Sequence, residues 1–232
     1  MTTGGILAAI GLVFFGYLVG SLSPSVYFGK AFKGLDVREH GSGNAGTTNA
    51  FRVLGVPLGI AVLIADLLKG AVPVLLARLL LARYTEASDS QIALVTVFVA
   101  LACIAGHNYS IFLRGKGGKG VATGAGAAIG MMPIPMAFIV GLFIVLLLAV
   151  RIVSVASIVC TIVFPVTAVV LDQPLPYIVV CCLMSVVILW AHRGNFVRLW
   201  RHTEPRVVFP WNKRRLESTD PDLKTSKQDA EK

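Results

Sequence analysis

Charge is what this sequence has least of. Only 14% of its 232 residues are charged, against 56% hydrophobic, and the mean hydropathy is +0.78. A water-soluble domain of this size hides about 70% of its surface and covers the remainder with far more charge, so that class is excluded. Acids are scarcer still, 12 against 21 Lys and Arg, which leaves a net charge of +9. Nucleic acid attracts such an excess. Basic residues at the cytoplasmic ends of membrane helices produce it as well, and no nucleic-acid partner is expected. No Lys or Arg precedes Lys30. The positive start of a signal peptide is therefore missing, and the apolar run from Gly5 reads as a retained helix. Cysteine is confined to Cys103, Cys160, Cys181 and Cys182, all inside apolar runs. There they read as small buried hydrophobes rather than a disulfide framework. With neither a CxxC pair nor a His-rich cluster, no metal and no cofactor are expected. A GxxxxGK[ST] loop is missing too, which excludes a Walker-type phosphate loop. No Ser/His/Asp triad lies close in sequence, and no internal repeat argues for a transporter built from inverted halves.

What remains is apolar sequence in runs that can cross a bilayer, which takes about 20 residues per helix. Seven candidate spans emerge: Gly5 to Val26, Leu54 to Leu81, Gln91 to Ala105, Val121 to Gly130, Pro133 to Val150, Ser154 to Leu171 and Pro176 to Trp190. The third is short and can continue through Tyr109 to Leu113. The fourth is about half a crossing at about 1.5 Å per residue. It either begins within the basic segment before it or is a re-entrant piece buried in protein. Charge favours counting it. With the N-terminus outside, every basic residue except Lys69, Arg78 and Arg83 falls on the cytoplasmic side. Without the fourth span, Arg151 and the C-terminal basic residues move to the opposite face from the earlier ones. The expected fold is an all-α polytopic membrane protein with seven transmembrane helices in one bundle, N-terminus outside and C-terminus cytoplasmic. Residues 1–210 form its membrane domain. The polar, mixed-sign residues 211–232 read as a disordered cytoplasmic tail.

Three polar segments break the apolar pattern, and this topology puts all of them on the cytoplasmic side. Asp36 to Arg52 holds Gly41, Gly43 and Gly46 for tight turns, with Ser42, Asn44, Thr47, Thr48 and Asn49 as side-chain donors and acceptors. Successive N–H groups in such turns form an anion-binding nest, the next helix adds its positive end, and Arg52 offers a bidentate phosphate contact. A flexible polar connector is the plainer alternative. Gly106 to Gly126 sets Arg114, Lys116 and Lys119 among Gly115, Gly117, Gly118 and Gly120. This pattern serves as a phosphate cradle, a lipid-headgroup contact or a topology-setting loop. His107 reads equally as a ligand contact or a structural histidine. In Trp190 to Arg206, His192 and Asn195 share one face if the helix continues. Glu204 there can orient an arginine such as Arg198, while Trp190 and Trp200 read as interfacial anchors.

Asp66 and Lys69 sit inside the second span at i,i+3 spacing. An unpaired charge at that depth costs about 3 kcal/mol, so the two are expected to pair and to face the bundle interior. From the residues alone, three classes stay open. They are a membrane enzyme, a transporter or channel for a phosphorylated metabolite or lipid, and a structural protein that binds anionic lipid.

Taken together, the segments resemble the membrane glycerol-3-phosphate acyltransferase family that uses acyl-phosphate as donor. The resemblance begins at Gly20, Ser21 and Pro24, passes through Gly34, Asp36 and Arg38, and is strongest at Gly41-Ser42-Gly43-Asn44. It continues through Gly46, Thr48, Asn49, Arg52, Asp66, Lys69 and Gly70. The second segment contributes Gly106, His107, Phe112 and the run Lys116 to Thr123. The third contributes His192, Asn195, Arg198, Leu199, Thr203 and Glu204. Four positions depart from the family pattern: Ser110 for proline, Gly115 for an aromatic, His202 for glycine and Arg206 for lysine.

The resemblance implies a seven-span enzyme of the bacterial inner membrane with its site on the cytoplasmic face. Its partners would be acyl-phosphate, glycerol-3-phosphate and membrane lipids. It would move an acyl group to the sn-1 hydroxyl and yield lysophosphatidic acid. Ser42, Arg52, Lys116, Lys119, His192 and Asn195 are then the expected catalytic residues. Gly41, Gly43, Asn44, Gly46, Thr48, Asn49, His107, Gly117, Gly118, Gly120, Arg198 and Glu204 would bind substrate or phosphate.

Overall fold

The computed structural model describes residues 1–207, and every regular element in that range is helical. The tail expected over 211–232 lies outside the described residues. In chain order the helices are α1 (Thr3–Ser21), α2 (Pro24–Lys33), α3 (Thr47–Leu54), α4 (Val56–Tyr84), α5 (Asp89–Asn108) and α6 (Val121–Met131). They continue with α7 (Pro133–Val150), α8 (Val153–Val170), α9 (Leu175–Ala191) and α10 (Arg193–Trp200). Single 3-10 turns cover Val37–Glu39 and Ile111–Leu113.

Local chemistry sets many of these boundaries. Pro24 and Pro133 each open a helix at the first position, where a missing N–H is harmless. Ser88 and Gln91 form a reciprocal capping box at the start of α5. The expected single run from Gly5 to Val26 is broken. α1 stops at Ser21 because Pro24 cannot donate to the carbonyl one turn back, and the chain restarts as α2. Leu54 belongs to α3 rather than to the second span, since Gly55 at φ +87° turns the backbone between α3 and α4.

Among the described residues, five stretches are long and apolar enough to cross a membrane: Thr3–Lys33, α4, Asp89–Leu113, α7 and α8. Joining α9 to α10 across a 54° bend gives a sixth. α6, with 11 residues, is shorter than a full crossing. The flanks of these helices carry exposed apolar side chains such as Phe14, Phe138, Val145 and Val186, as a lipid-facing surface requires.

Glycine governs the two closest helix pairings. An added Cβ at Gly20 would overlap the Cys103 backbone, and one at Gly106 would overlap Tyr17 O, so α1 and α5 touch backbone to backbone. Gly70 meets Thr123 O and Gly126 meets Leu67 O in the same way between α4 and α6. Neighbours advance together along each pair: Gly16 with Val99, Gly20 with Cys103, and Ser21 with Gly106. α1 therefore runs parallel to α5. α4 likewise runs parallel to α6, from Leu67 beside Gly126 to Val74 beside Gly130. The short connector between α4 and α5 reverses direction. These senses bring the α1–α2 break, the start of α3 and the loop before α6 to one end of the bundle. A small apolar cluster of Val26, Val37, Ala45, Ala50, Leu54, Val62 and Leu113 supports the polar segments at that end.

Candidate active site

The first segment is built around Asn49, which is 1% exposed. Its Nδ2 donates to Val37 O at 2.7 Å and His40 O at 3.1 Å, and its Oδ1 accepts from Ser42 N at 2.9 Å. Asp36 fixes the start of the same turn. It accepts from Arg38 N at 3.0 Å and from the Arg38 guanidinium at 2.9 and 2.6 Å. The Arg38 side chain holds the Asp36 carboxyl well below the usual carboxylate range. Gly41, at φ +62°, has no room for a Cβ, which would overlap Asn49 Oδ1. The outcome is a turn with Ser42, Thr48 and Arg52 exposed on its rim and Asn44 and Gly46 half-buried.

The second segment is stitched back onto the end of α5. Gly118 N donates to His107 O at 3.0 Å and Gly117 N to Asn108 O at 3.2 Å. Neither glycine tolerates a Cβ, since one on Gly118 would overlap the His107 ring. His107 thus lies behind the loop, 5% exposed, and its Nδ1 shares a 3.0 Å hydrogen bond with Thr123 Oγ1. Gly120, at φ +79°, forms the N-cap of α6 without any side-chain cap. Lys116 is exposed, while Lys119 turns inward.

The third segment does not continue as one helix but bends by 54° between α9 and α10. His192 stands at the corner between α9 and α10, 2% exposed, with Nδ1 donating to Ile188 O at 2.8 Å. Past α10, His202 N donates to Leu199 O and Thr203 N to Arg198 O, the bond pair of a Schellman turn. His202 takes its left-handed position at φ +55°. That turn carries Glu204 back to α10. Glu204 Oε1 accepts from Asn195 Nδ2 at 2.6 Å and Ser154 Oγ at 2.7 Å, and Oε2 accepts from Arg198 Nε at 2.7 Å. Burial works to raise the Glu204 carboxyl, but the bonds from Ser154, Asn195 and Arg198 outweigh it and the net shift is downward.

Lys119 closes the network across segments, donating from Nζ to Asn195 Oδ1 at 2.5 Å. Burial pushes its ammonium down to about 8, Arg198 adds to the shift and Glu204 opposes it. Arg52 also pushes it down, so charges from all three segments are felt at this one amine.

Several expectations change. Asn49, expected at a phosphate, is committed to holding the turn, with both amide hydrogens on backbone carbonyls. His107, also expected at a phosphate, supports the loop from behind. His192 caps the start of α10, where its carbonyl accepts from Asn195 N at 2.8 Å, and the two do not lie along one continuous helix face. Ser154 and Thr47 were not singled out as site residues, yet each bonds an acid at this end of the bundle. The only local signal for Ser154 is a hydroxyl in the first turn of an apolar helix. Two departures also gain a physical account. Ser110 uses its hydroxyl on Ser21 O at 2.6 Å, and His202 occupies a backbone position that favours glycine.

An all-helical bundle with apolar flanks, carrying a polar and cationic cluster at one end, defines a multi-pass membrane protein. Residues 10–202 match the sequence model of the glycerol-3-phosphate acyltransferase family, and the chain belongs to that family. It is 42% identical over 193 residues to the glycerol-3-phosphate acyltransferase of Rubrobacter xylanophilus, covering 83% of this chain and 92% of that one. Its counterpart from Chlorobaculum tepidum is 35% identical, with 88% and 98% covered. Among solved structures it is similar to PlsY (YgiH), an integral membrane glycerol 3-phosphate acyltransferase. The glycerol 3-phosphate form matches at 35% identity and a TM-score of 0.78, over 87% of this chain and 96% of that one. The lysophosphatidic acid form matches at 34% and 0.76, with the same coverage.

Proposed function

We propose that this protein transfers a fatty acyl group from acyl-phosphate to the sn-1 hydroxyl of glycerol-3-phosphate, releasing lysophosphatidic acid and phosphate. The observation that carries this reading is the bond from Lys119 to Asn195, backed by Glu204 and close to Arg52. A cation so placed, with exposed Lys116 and the uncapped start of α6 nearby in sequence, suits two phosphorylated substrates.

The glycerol-3-phosphate hydroxyl oxygen attacks the acyl carbonyl carbon, and the bond from that carbon to the phosphate oxygen breaks. The hydroxyl proton passes to a substrate phosphate oxygen, so no protein nucleophile is required. Phosphate is a good leaving group, and orientation and charge stabilisation then supply much of the catalysis. Ser42, Thr48, Arg52, Lys116 and Lys119 bind and polarise the phosphates, with the backbone of Gly41, Gly43, Gly117 and Gly118 shaping the cradle. His192 and Asn195 align glycerol-3-phosphate, while Arg198 and Glu204 hold the surrounding charge. The bundle crosses the bacterial inner membrane seven times, with α6 as the short span, the N-terminus outside and the site at the cytoplasmic face. The parallel α1–α5 and α4–α6 pairs and the basic-residue bias support that orientation.

The test is incubation of the purified protein with labelled acyl-phosphate and glycerol-3-phosphate. Lysophosphatidic acid should form with wild type and fall sharply with Lys119→Ala or Arg52→Ala that still fold. Absence of that product, together with substrate flux across proteoliposomes, would replace the reading with transport. Trapping an acyl-Ser42 species in a single turnover would replace direct transfer with a covalent route.

A further inference from the structure

Beneath the glycine-rich segments lies a buried charged pair to which acyl transfer gives no task. Asp66 is 1% exposed and Lys69 7%. Lys69 Nζ lies 2.9 Å from Asp66 Oδ1 and donates at 2.6 Å to Leu22 O, at the break between α1 and α2. Asp66 Oδ2 accepts from the hydroxyl of Thr47, the first residue of α3, at 2.8 Å. Asp66 Oδ1 takes no aligned hydrogen bond, so its tie to Lys69 is one of charge. The same oxygen faces His107 Nδ1 at 3.7 Å. His107 in turn bonds Thr123 through its ring and Gly118 through its carbonyl.

A continuous line of contacts therefore runs from the first segment to the second, through Thr47, Asp66, His107 and Gly118. Replacing a buried ion pair with apolar residues is commonly neutral or stabilising, so stability alone gives no reason for charge at this depth. The pair also reaches three elements besides its own helix, which an isolated ion pair has no need to do.

We propose that Asp66 and Lys69 form a positioning pair that holds the two phosphate-binding loops in register, with Thr47 and His107 as its arms. The proposal rests on the reading of those loops as phosphate-binding. Neither residue of the pair touches substrate. Asp66 sets the start of α3, and so the placement of Ser42 and Arg52, relative to the loop that carries Lys116 and Lys119. Lys69 anchors the assembly to the end of α1. Without the pair each loop relaxes on its own, and glycerol-3-phosphate binding weakens while the chemistry of the occupied site continues.

Two measurements on the full chain in nanodiscs decide the matter. The first is hydrogen exchange, which needs no activity. Asp66→Leu/Lys69→Met should accelerate exchange in residues 41–50 and 115–121 together. Thr47→Val should accelerate the first of these, and Thr47→Ser should leave it at the wild-type rate. Faster exchange confined to α4, or none, overturns the proposal. Should the double variant not fold, the comparison of Thr47→Val with Thr47→Ser decides alone. The second measurement is steady-state kinetics. Thr47→Val should raise the KM for glycerol-3-phosphate about tenfold, as loss of a hydrogen bond to a buried carboxylate does, with kcat within about twofold. An unchanged KM, or a fall in kcat alone, overturns it. Coupled exchange in a protein whose wild type makes no lysophosphatidic acid would retain the positioning pair and discard the acyl-transfer reading.

Discussion

Lys119 and Asn195, separated by 76 positions in sequence, meet through a 2.5 Å hydrogen bond that joins the loop before α6 to α10. Each also has a second connection: Lys119 sits in the glycine loop stitched to α5, and Asn195 donates to Glu204. The amine is thereby fixed from two directions, which suits the role proposed for it at a developing charge.

Removing Lys119 should lower kcat/KM by about a hundredfold, the usual effect of deleting one donor aimed at transition-state charge, and removing Asn195, which seats that amine, should lower it as well. Lys119→Met and Asn195→Ala are the variants, with product formation from acyl-phosphate as the measurement. Lys119→Arg should fail to restore activity, because a planar guanidinium cannot replace a compact ammonium in this half-buried seat.

Lys119 also sets an expectation for pH. With its ammonium lowered to about 8 chiefly by burial, and then by Arg198, the charged form declines as pH rises through that value. kcat/KM, which reports the free enzyme, should fall along the same limb. Glu204 opposes the shift, so Glu204→Gln should move the limb to lower pH. Arg198→Met removes a like charge and should move it higher. A limb that stays in place in both variants would assign it to another group.

His202→Gly should stabilise the protein. The left-handed seat at φ +55° costs a residue with a Cβ about 1–2 kcal/mol, while glycine gives back about half of that in the unfolded chain. A net gain of about 0.5–1 kcal/mol is expected as a higher thermal midpoint in detergent, with kcat unchanged.

Gly70→Ala and Gly126→Ala should each destabilise by about 1–3 kcal/mol, because overpacking there meets backbone that cannot move aside. Gly118→Ala instead forces the buried His107 ring out of its seat, and with it the glycine loop bonded to the His107 carbonyl. That variant should lose activity in excess of its loss of thermal stability.

Hydropathy made most of the bundle legible, and α7 follows its expected bounds, Pro133–Val150. It failed at Pro24, where a continuously apolar run conceals a break that the imino ring imposes. α3 was hidden for the opposite reason. Glycine, threonine and asparagine read as turn chemistry, while the apolar face that makes Thr47–Leu54 a helix is only two turns long. At the site, residue types were legible but their division of labour was not. Asn49 and His107 look like ligand contacts in sequence, and only packing shows that their polar atoms are occupied within the protein. The Ser154–Glu204 bond spans 50 positions and leaves no local trace.

The position of Glu204 bears on how the protein is made. Its carboxylate gathers Ser154, Asn195 and Arg198, so the network around Lys119 closes only with the final turn of the described chain. During synthesis every other member is in place before it. A nascent chain halted between the end of α10 and that residue has its membrane helices yet lacks the acid that holds Asn195. Activity should accordingly switch on late, when the C-terminal segment leaves the ribosome, and not as the bundle inserts.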